Sequence, residues 1–122
     1  MVQETTLGFH DLYRVFVHLQ VNVSKKMPVS CMMAYLYVVL AGRPCVCQEI
    51  LKHCNITYND LNRLLKSYKW SEKTGTMDGY DLLVINSHAG DQRLNEASLS
   101  ERGQQVRDAL GRLLKGPRHQ TL

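Results

Sequence analysis

Residues 88–103 read HAGDQRLNEASLSERG, and this stretch decides the predicted fold. The turn formers at 89–91 are followed by the partly alternating run 93–99, which is the pattern of a strand. Ser100 then precedes Glu101, and a serine before an acidic first turn is typical of a helix start. The sequence therefore predicts a turn, a strand and a helix in immediate succession.

Upstream of this stretch, apolar residues recur at spacings of three and four and predict further helices. They cover residues 7–23, 29–40, 46–54 and 57–70, and the helix that Ser100 opens covers 100–115. Pro28 suits the first turn of the second helix, and Gly42 ends it. Asn55 is a left-handed cap for the third helix, and Thr57 begins the fourth with a capping-box-like pattern.

The fourth predicted helix, 57–70, has an apolar face and a polar, basic face. The polar face carries hydrogen-bonding and cationic groups: Tyr58, Asn59, Asn62, Arg63, Lys66 and Lys69. A helix, a tight turn and a second helix with such a face is the arrangement that enters the major groove of DNA. We expect these side chains, together with the capping Thr57, to contact DNA.

Several short motifs occur in a fixed order along the chain. They are Glu49-Ile50-Leu51, Asn55-Ile56-Thr57, LNRLL at 61–65, Asp91-x-Arg93 and LSERG at 99–103. In order and spacing they resemble the helix-turn-helix, wing and following helix of MarR-type winged-helix transcription regulators, over residues 27–114. The resemblance implies that Asp91 and Arg93 lie at the tip of a β-hairpin that touches DNA.

The main candidate DNA contacts each have an expected chemical role on DNA and a simpler structural explanation. Asn62 and Arg63 suit base edges or phosphates because amide and guanidinium groups bond adenine and guanine in a bidentate manner; the alternative is an exposed helix surface. Arg93 suits an A·T-rich minor groove, with Asp91 orienting its guanidinium; the alternative is a local salt bridge in the turn. His88, beside the tip, is a weaker candidate.

The predicted fold class is α+β, a mainly helical winged helix-turn-helix with a two-stranded β-wing. One domain covers 1–115: an N-terminal dimerisation helix in 1–26, core helices and helix-turn-helix in 28–70, insertion and wing in 71–99, and a C-terminal helix in 100–115. A flexible tail, 116–122, follows. The insertion exceeds the short link typical of the family, and its glycines predict either a mobile loop or a small hairpin.

The resemblance leads us to expect no counterpart of the family's usual final dimerisation helix, and therefore a dimer interface that is smaller or built differently. The first helix has an apolar stripe, and the last helix has another at Val106, Ala109, Leu110, Leu113 and Leu114. We expect these stripes to pair across a two-fold axis as a homodimer. The expected function is that of a dimeric repressor binding specific double-stranded DNA. The alternative is a winged-helix module that antagonises a regulator or polymerase without binding DNA.

Composition bounds these expectations. The chain has 122 residues and a net charge of +4, and residues 50–73 hold five lysines and arginines against Asp60 and Glu72. No apolar run has the length of a membrane span, and no signal peptide is visible, so we expect a cytoplasmic protein without membrane contact. The sequence leaves open whether a small-molecule effector controls DNA binding.

The sequence carries no motif that predicts catalysis. Walker A, GxGxxG, HExxH and GxSxG patterns are absent, so we expect neither an enzyme nor a cofactor. The cysteines are Cys31, Cys45, Cys47 and Cys54. Their spacing is not that of a standard zinc knuckle, so we expect buried, reduced thiols and no metal, a site from Cys45, Cys47, His53 and Cys54 being the alternative.

Overall fold

A computed structural model of the protein describes residues 2–65, 69–72, 76–86 and 95–115. The helices are α1 (Val2–Asn22), α2 (Val29–Ala41), α3 (Cys47–Cys54), α4 (Tyr58–Leu65) and α5 (Glu101–Lys115). The strands are β1 (Cys45–Val46), β2 (Lys69–Ser71), β3 (Thr76–Asp78), β4 (Leu83–Asn86) and β5 (Glu96–Leu99). The predicted mixed and mainly helical class is confirmed.

The strands form two separate antiparallel groups. One is a sheet in the order β1-β5-β4, in which Ala97 of β5 lies between Cys45 of β1 and Ile85 of β4. The other is the β2–β3 hairpin, in which Trp70 pairs with Met77. The β4–β5 pair lies where the sequence predicts a wing, but β1 makes the sheet three-stranded, and residues 87–94, with the predicted turn at 89–91, lie outside the described residues.

Periodicity predicts α1, α2 and α5 well because each buries one side against the rest of the chain. Val15 and Leu19 on one side of α1 are buried, as is Val23 directly after the helix. The predicted ends are also observed: Gly42 and Asn55 adopt the left-handed conformation, with φ of 65° and 52°. These residues end α2 and α3, where their N–H groups bond carbonyls of the preceding turn.

Helix α5 crosses the segment that connects the β2–β3 hairpin to β4, and the two pack closely there. Buried Tyr35 of α2 donates its hydroxyl to the Gly103 carbonyl at 2.6 Å. Ser100 Oγ accepts from the Gly103 N–H at 2.9 Å and donates to the Asp81 carbonyl at 2.7 Å. A Cβ on Gly103 would overlap the Leu82 carbonyl oxygen, so only glycine permits this approach.

The prediction that the fourth helix runs to Trp70 is wrong. Helix α4 ends at Leu65, and Trp70 lies in β2. The carbonyls of Arg63 and Leu64 accept from the N–H groups of Tyr80 and Leu82, at 2.8 and 2.9 Å. The segment that follows the β2–β3 hairpin thus supplies hydrogen-bond donors to carbonyls in the last turn of α4. The insertion is a hairpin, one of the two predicted possibilities, and it begins at residue 69 rather than 71.

The third helix was predicted to begin at 46, but Val46 belongs to β1. Cys45 and Val46 pair with Ala97 and Glu96, and the Cys47 N–H donates to the Asn95 carbonyl at 2.9 Å. These partners are distant in sequence, so no local pattern indicates the strand.

Within the described ranges, no helix is both long and apolar enough for a bilayer crossing.

Helix α2 packs one of its sides into the core. Cys31, Met32, Ala34, Tyr35 and Val38 are buried. The opposite side exposes three apolar residues, namely Val29, Met33 and Leu40. An uncharged helix therefore presents an apolar stripe to solvent.

Candidate nucleic-acid interface

Helices α3 and α4 are joined by a short turn at residues 55–57. The Ile56 N–H donates to the Leu51 carbonyl at 3.3 Å, and the Ile56 side chain is buried. Thr57 Oγ1 accepts from the Asp60 N–H at 3.3 Å, so the predicted cap is confirmed. Two helices in succession with so short a turn are the geometry of a helix-turn-helix.

Two buried leucines fix the rotation of α4 about its axis. Leu61 and Leu64 are almost fully buried and face the core. The predicted contact residues on the opposite side are all exposed: Thr57, Tyr58, Asn59, Asn62 and Arg63. The structure therefore brings five of the predicted site residues onto one accessible surface, which we call the α4 face.

Asn62 lies near the middle of the α4 face, and Arg63 lies at its edge. Burial raises the pKa of Tyr80, and the nearby Arg63 side chain opposes that rise. The Arg63 side chain thus lies beside the Tyr80 hydroxyl at the edge of an exposed surface.

Helix α3 is attached to the end of α2 by a carboxylate that was noticed in the sequence only as part of a motif. Glu49 accepts from the Tyr37 hydroxyl and from both terminal nitrogens of Arg43, the shorter Arg43 contact being 2.9 Å. The Tyr37 ring stacks on His53, with ring centroids 5.7 Å apart. This cluster joins the two helices that support α4.

The same contacts shift two ionisation equilibria. Hydrogen bonds from Arg43 and Tyr37 lower the pKa of Glu49 to about 2, because they stabilise its ionised form. Donation to Glu49 is also the main reason that the pKa of Tyr37 rises to about 12, since it favours the protonated phenol. Glu49 is therefore a structural anion at neutral pH.

The remaining predicted contacts cannot be placed on this surface. Lys66, His88, Asp91 and Arg93 lie outside the described residues, and Lys69 is described only as backbone in β2. Because Lys69 belongs to a strand, its predicted position on the polar face of a helix is wrong. The prediction fails because the β2–β3 hairpin begins at Lys69, where the helix was predicted to continue.

The four cysteines are free and buried. Burial raises the pKa of each thiol, to about 11 for Cys31, whose Sγ donates to the Asp60 carbonyl at 3.6 Å. Thiols held protonated are poor metal ligands and poor nucleophiles. Within the described residues, no three His, Cys, Asp or Glu side chains are grouped as a metal site would require.

Sequence reasoning missed two residues of this region. Tyr80 lies 17 positions after Arg63, and no periodicity links an insertion to the preceding helix. The bond from Tyr37 to Glu49 escaped notice because a half-buried tyrosine at helical spacing gives no sign of its partner.

Comparison with protein-family models, curated proteins and solved structures finds no match for this chain.

Proposed function

We propose that the protein is a sequence-specific, double-stranded DNA-binding transcription regulator of the MarR-type winged-helix class, acting as a repressor. The observation that carries this proposal is the α4 face. It presents hydroxyl, amide and guanidinium groups together, on a helix whose other side is locked into the core. Side chains of these types read base edges in the major groove.

Access to the groove supports the assignment of α4 as the recognition helix. A recognition helix contacts bases through its first turns, and Tyr58, Asn59 and Asn62 lie in the first turns of α4 and are exposed. The short turn at 55–57 connects α3 to the start of α4. Lys52 and His53, near the end of α3, are exposed and add basic groups on the neighbouring helix.

The β4–β5 pair supports the assignment of a wing. Strand β4 follows α4 directly in space, because the Leu82 N–H bonds the Leu64 carbonyl just before β4 begins. Strand β5 is held between β4 and β1. The base of this hairpin is therefore fixed beside the end of α4, and in the proposal its tip residues Asp91 and Arg93 reach the adjacent minor groove.

Selection of bound duplexes from a random DNA pool tests the proposal. A DNA regulator enriches a common site, and its affinity for that site falls steeply as salt rises because counterions are released. A reporter carrying the selected site upstream of a promoter then tests repression. Failure to enrich any site, with no salt-dependent duplex binding, contradicts the proposal.

One observation favours a second candidate, a protein-interaction module that does not bind DNA. The apolar stripe of Val29, Met33 and Leu40 on α2 is exposed, and contiguous exposed apolar surface is typical of protein contacts. In this alternative, substitutions on the α4 face leave function intact and substitutions on the α2 stripe abolish it.

A further inference from the structure

The middle of the α4 face is uncharged, which limits the bases that it can read. Tyr58, Asn59 and Asn62 are exposed and neutral, and Arg63 lies at the edge. Asp60, the acidic residue of α4, is only partly exposed. Guanine is most often read by arginine or lysine, and cytosine by a carboxylate. The middle of the α4 face offers neither group, so its chemistry favours A·T base pairs.

Tyr58 and Asn62 are presented together on one side of the helix. They are four residues apart, which separates them by about 6 Å along the helix axis. Buried Leu61 and Leu64 fix the rotation of α4, so neither side chain can turn toward the core. Base pairs stack about 3.4 Å apart. The two side chains therefore reach base pairs within about two steps of each other.

The ring of Tyr58 is an apolar surface placed among amide groups. Tyr58 begins α4 and is 61% exposed. Within the described residues, no hydrogen bond of its hydroxyl and no stacking on its ring is seen. The apolar group that the major groove presents at base edges is the C5 methyl of thymine. An exposed aromatic ring beside adenine-reading amides matches that group.

We propose that α4 reads A·T base pairs, with Asn62 bonding adenine and the ring of Tyr58 packing on the C5 methyl of a nearby thymine. An asparagine amide has one acceptor and a donor pair, which match N6 and N7 of adenine. This inference rests on the proposed DNA-binding function and adds a base preference to it. Its specific consequence is that the protein distinguishes thymine from uracil, which lacks only the methyl group.

The Tyr58 hydroxyl offers a competing contact, a hydrogen bond to a backbone phosphate. Phosphate contacts position a protein on DNA without reading its sequence. In that case Tyr58→Phe weakens binding to every duplex alike, and thymine and uracil are bound equally. The methyl contact uses the ring instead, so Tyr58→Phe preserves the preference for thymine and Tyr58→Ala removes it.

Replacing the thymines of a selected DNA site one at a time by deoxyuridine tests the inference, with affinity measured by fluorescence anisotropy. At one or more positions the wild type should bind the deoxyuridine duplex about three- to fivefold more weakly, because covering a methyl contributes about as much as burying one CH₂ group. Tyr58→Ala should bind both duplexes equally. Leu40→Ala, which truncates an 86% exposed apolar side chain on α2, is the matched control and should keep the wild-type preference.

Far-UV circular dichroism and the unfolding temperature verify that the variants fold. The inference is overturned if the wild type binds thymine and deoxyuridine duplexes equally at every position, or if Tyr58→Ala keeps the preference. Loss of the preference in Tyr58→Phe also overturns it, since the hydroxyl then makes the contact. These results leave site-specific DNA binding intact, whereas failure to select any site contradicts the proposed function and this inference together.

Discussion

At the scale of single residues, Arg63 shows how the hairpin orients a side chain of the α4 face. Its carbonyl accepts from the Tyr80 N–H at 2.8 Å, and its side chain lies near the Tyr80 hydroxyl, where it opposes the rise in pKa that burial causes. One residue from the insertion therefore contacts both the backbone and the side chain of Arg63. Within the described residues, no comparable contact is seen for Asn62.

This difference predicts coupling between Arg63 and Tyr80 in DNA binding. Tyr80→Phe removes the hydroxyl acceptor while keeping the backbone contact, so it should weaken binding by a smaller factor than Arg63→Ala. In the Arg63→Ala background, Tyr80→Phe should have no further effect. A double-mutant cycle measured by fluorescence anisotropy should give a coupling of about 0.5–1.5 kcal/mol. Additive effects would show that the Tyr80 contact does not orient Arg63 for DNA.

Glu49 predicts a specific acid sensitivity. Its pKa in the folded chain is about 2, below its ordinary 4.5. The unfolded state therefore binds more protons, and the stability that Glu49 contributes is lost as pH falls from about 4.5 toward 2. Urea unfolding across this window should show a shallower loss of stability for Glu49→Gln than for the wild type. Equal slopes for Glu49→Gln and wild type would contradict the account.

At the scale of elements, the sequence predicts the features that depend on residues close together along the chain, such as helix faces and helix ends. The spacing of Val15, Leu19 and Val23 is enough to identify α1 and its buried side, and Asn55 and Gly42 mark helix ends because each adopts positive φ. Residues exposed on α4 were predicted by the same logic. The rest depends on distant partners.

Three features escaped prediction for that reason. Strand β1 has only two residues and exists because β5 pairs with it. The described part of α4 ends at Leu65, and the N–H groups of Tyr80 and Leu82 bond the carbonyls of Arg63 and Leu64 in its last turn. The basic residue Lys69 consequently moves from a helix face to a strand. Helical periodicity contains no information about any of these long-range hydrogen bonds.

The crossing of α5 over the segment before β4 predicts opposite effects for two glycines of one helix. Gly103→Ala should destabilise the fold by about 3 kcal/mol, because its Cβ would overlap the backbone carbonyl of Leu82. Gly111 has open space around the position of a Cβ. Gly111→Ala should therefore stabilise the fold by about 0.5–1 kcal/mol through helix propensity. Urea unfolding measures both, and equal effects would contradict this crossing.

At the scale of the whole molecule, the elements divide into a support and a presenting surface. Helix α2 and strand β4 pack against α4, while α5 packs against β5, so α4 and the base of the β4–β5 pair are held in fixed relation. Helix α1 packs Val15 and Leu19 into the same core. In our account the protein is a homodimer in which each copy offers one α4 face, so selected DNA sites should be inverted repeats.

The account rests on the α4 face as the surface that reads DNA. The most direct test is the binding of wild type, Asn62→Ala and Gln105→Ala to a selected duplex and to a scrambled duplex. Gln105 is the control, since it is an exposed amide on α5. The account predicts that Asn62→Ala weakens binding to the selected duplex by about 1–3 kcal/mol, leaves the scrambled duplex unaffected, and that Gln105→Ala matches wild type on both. Equal binding of Asn62→Ala and wild type to the selected duplex would contradict it.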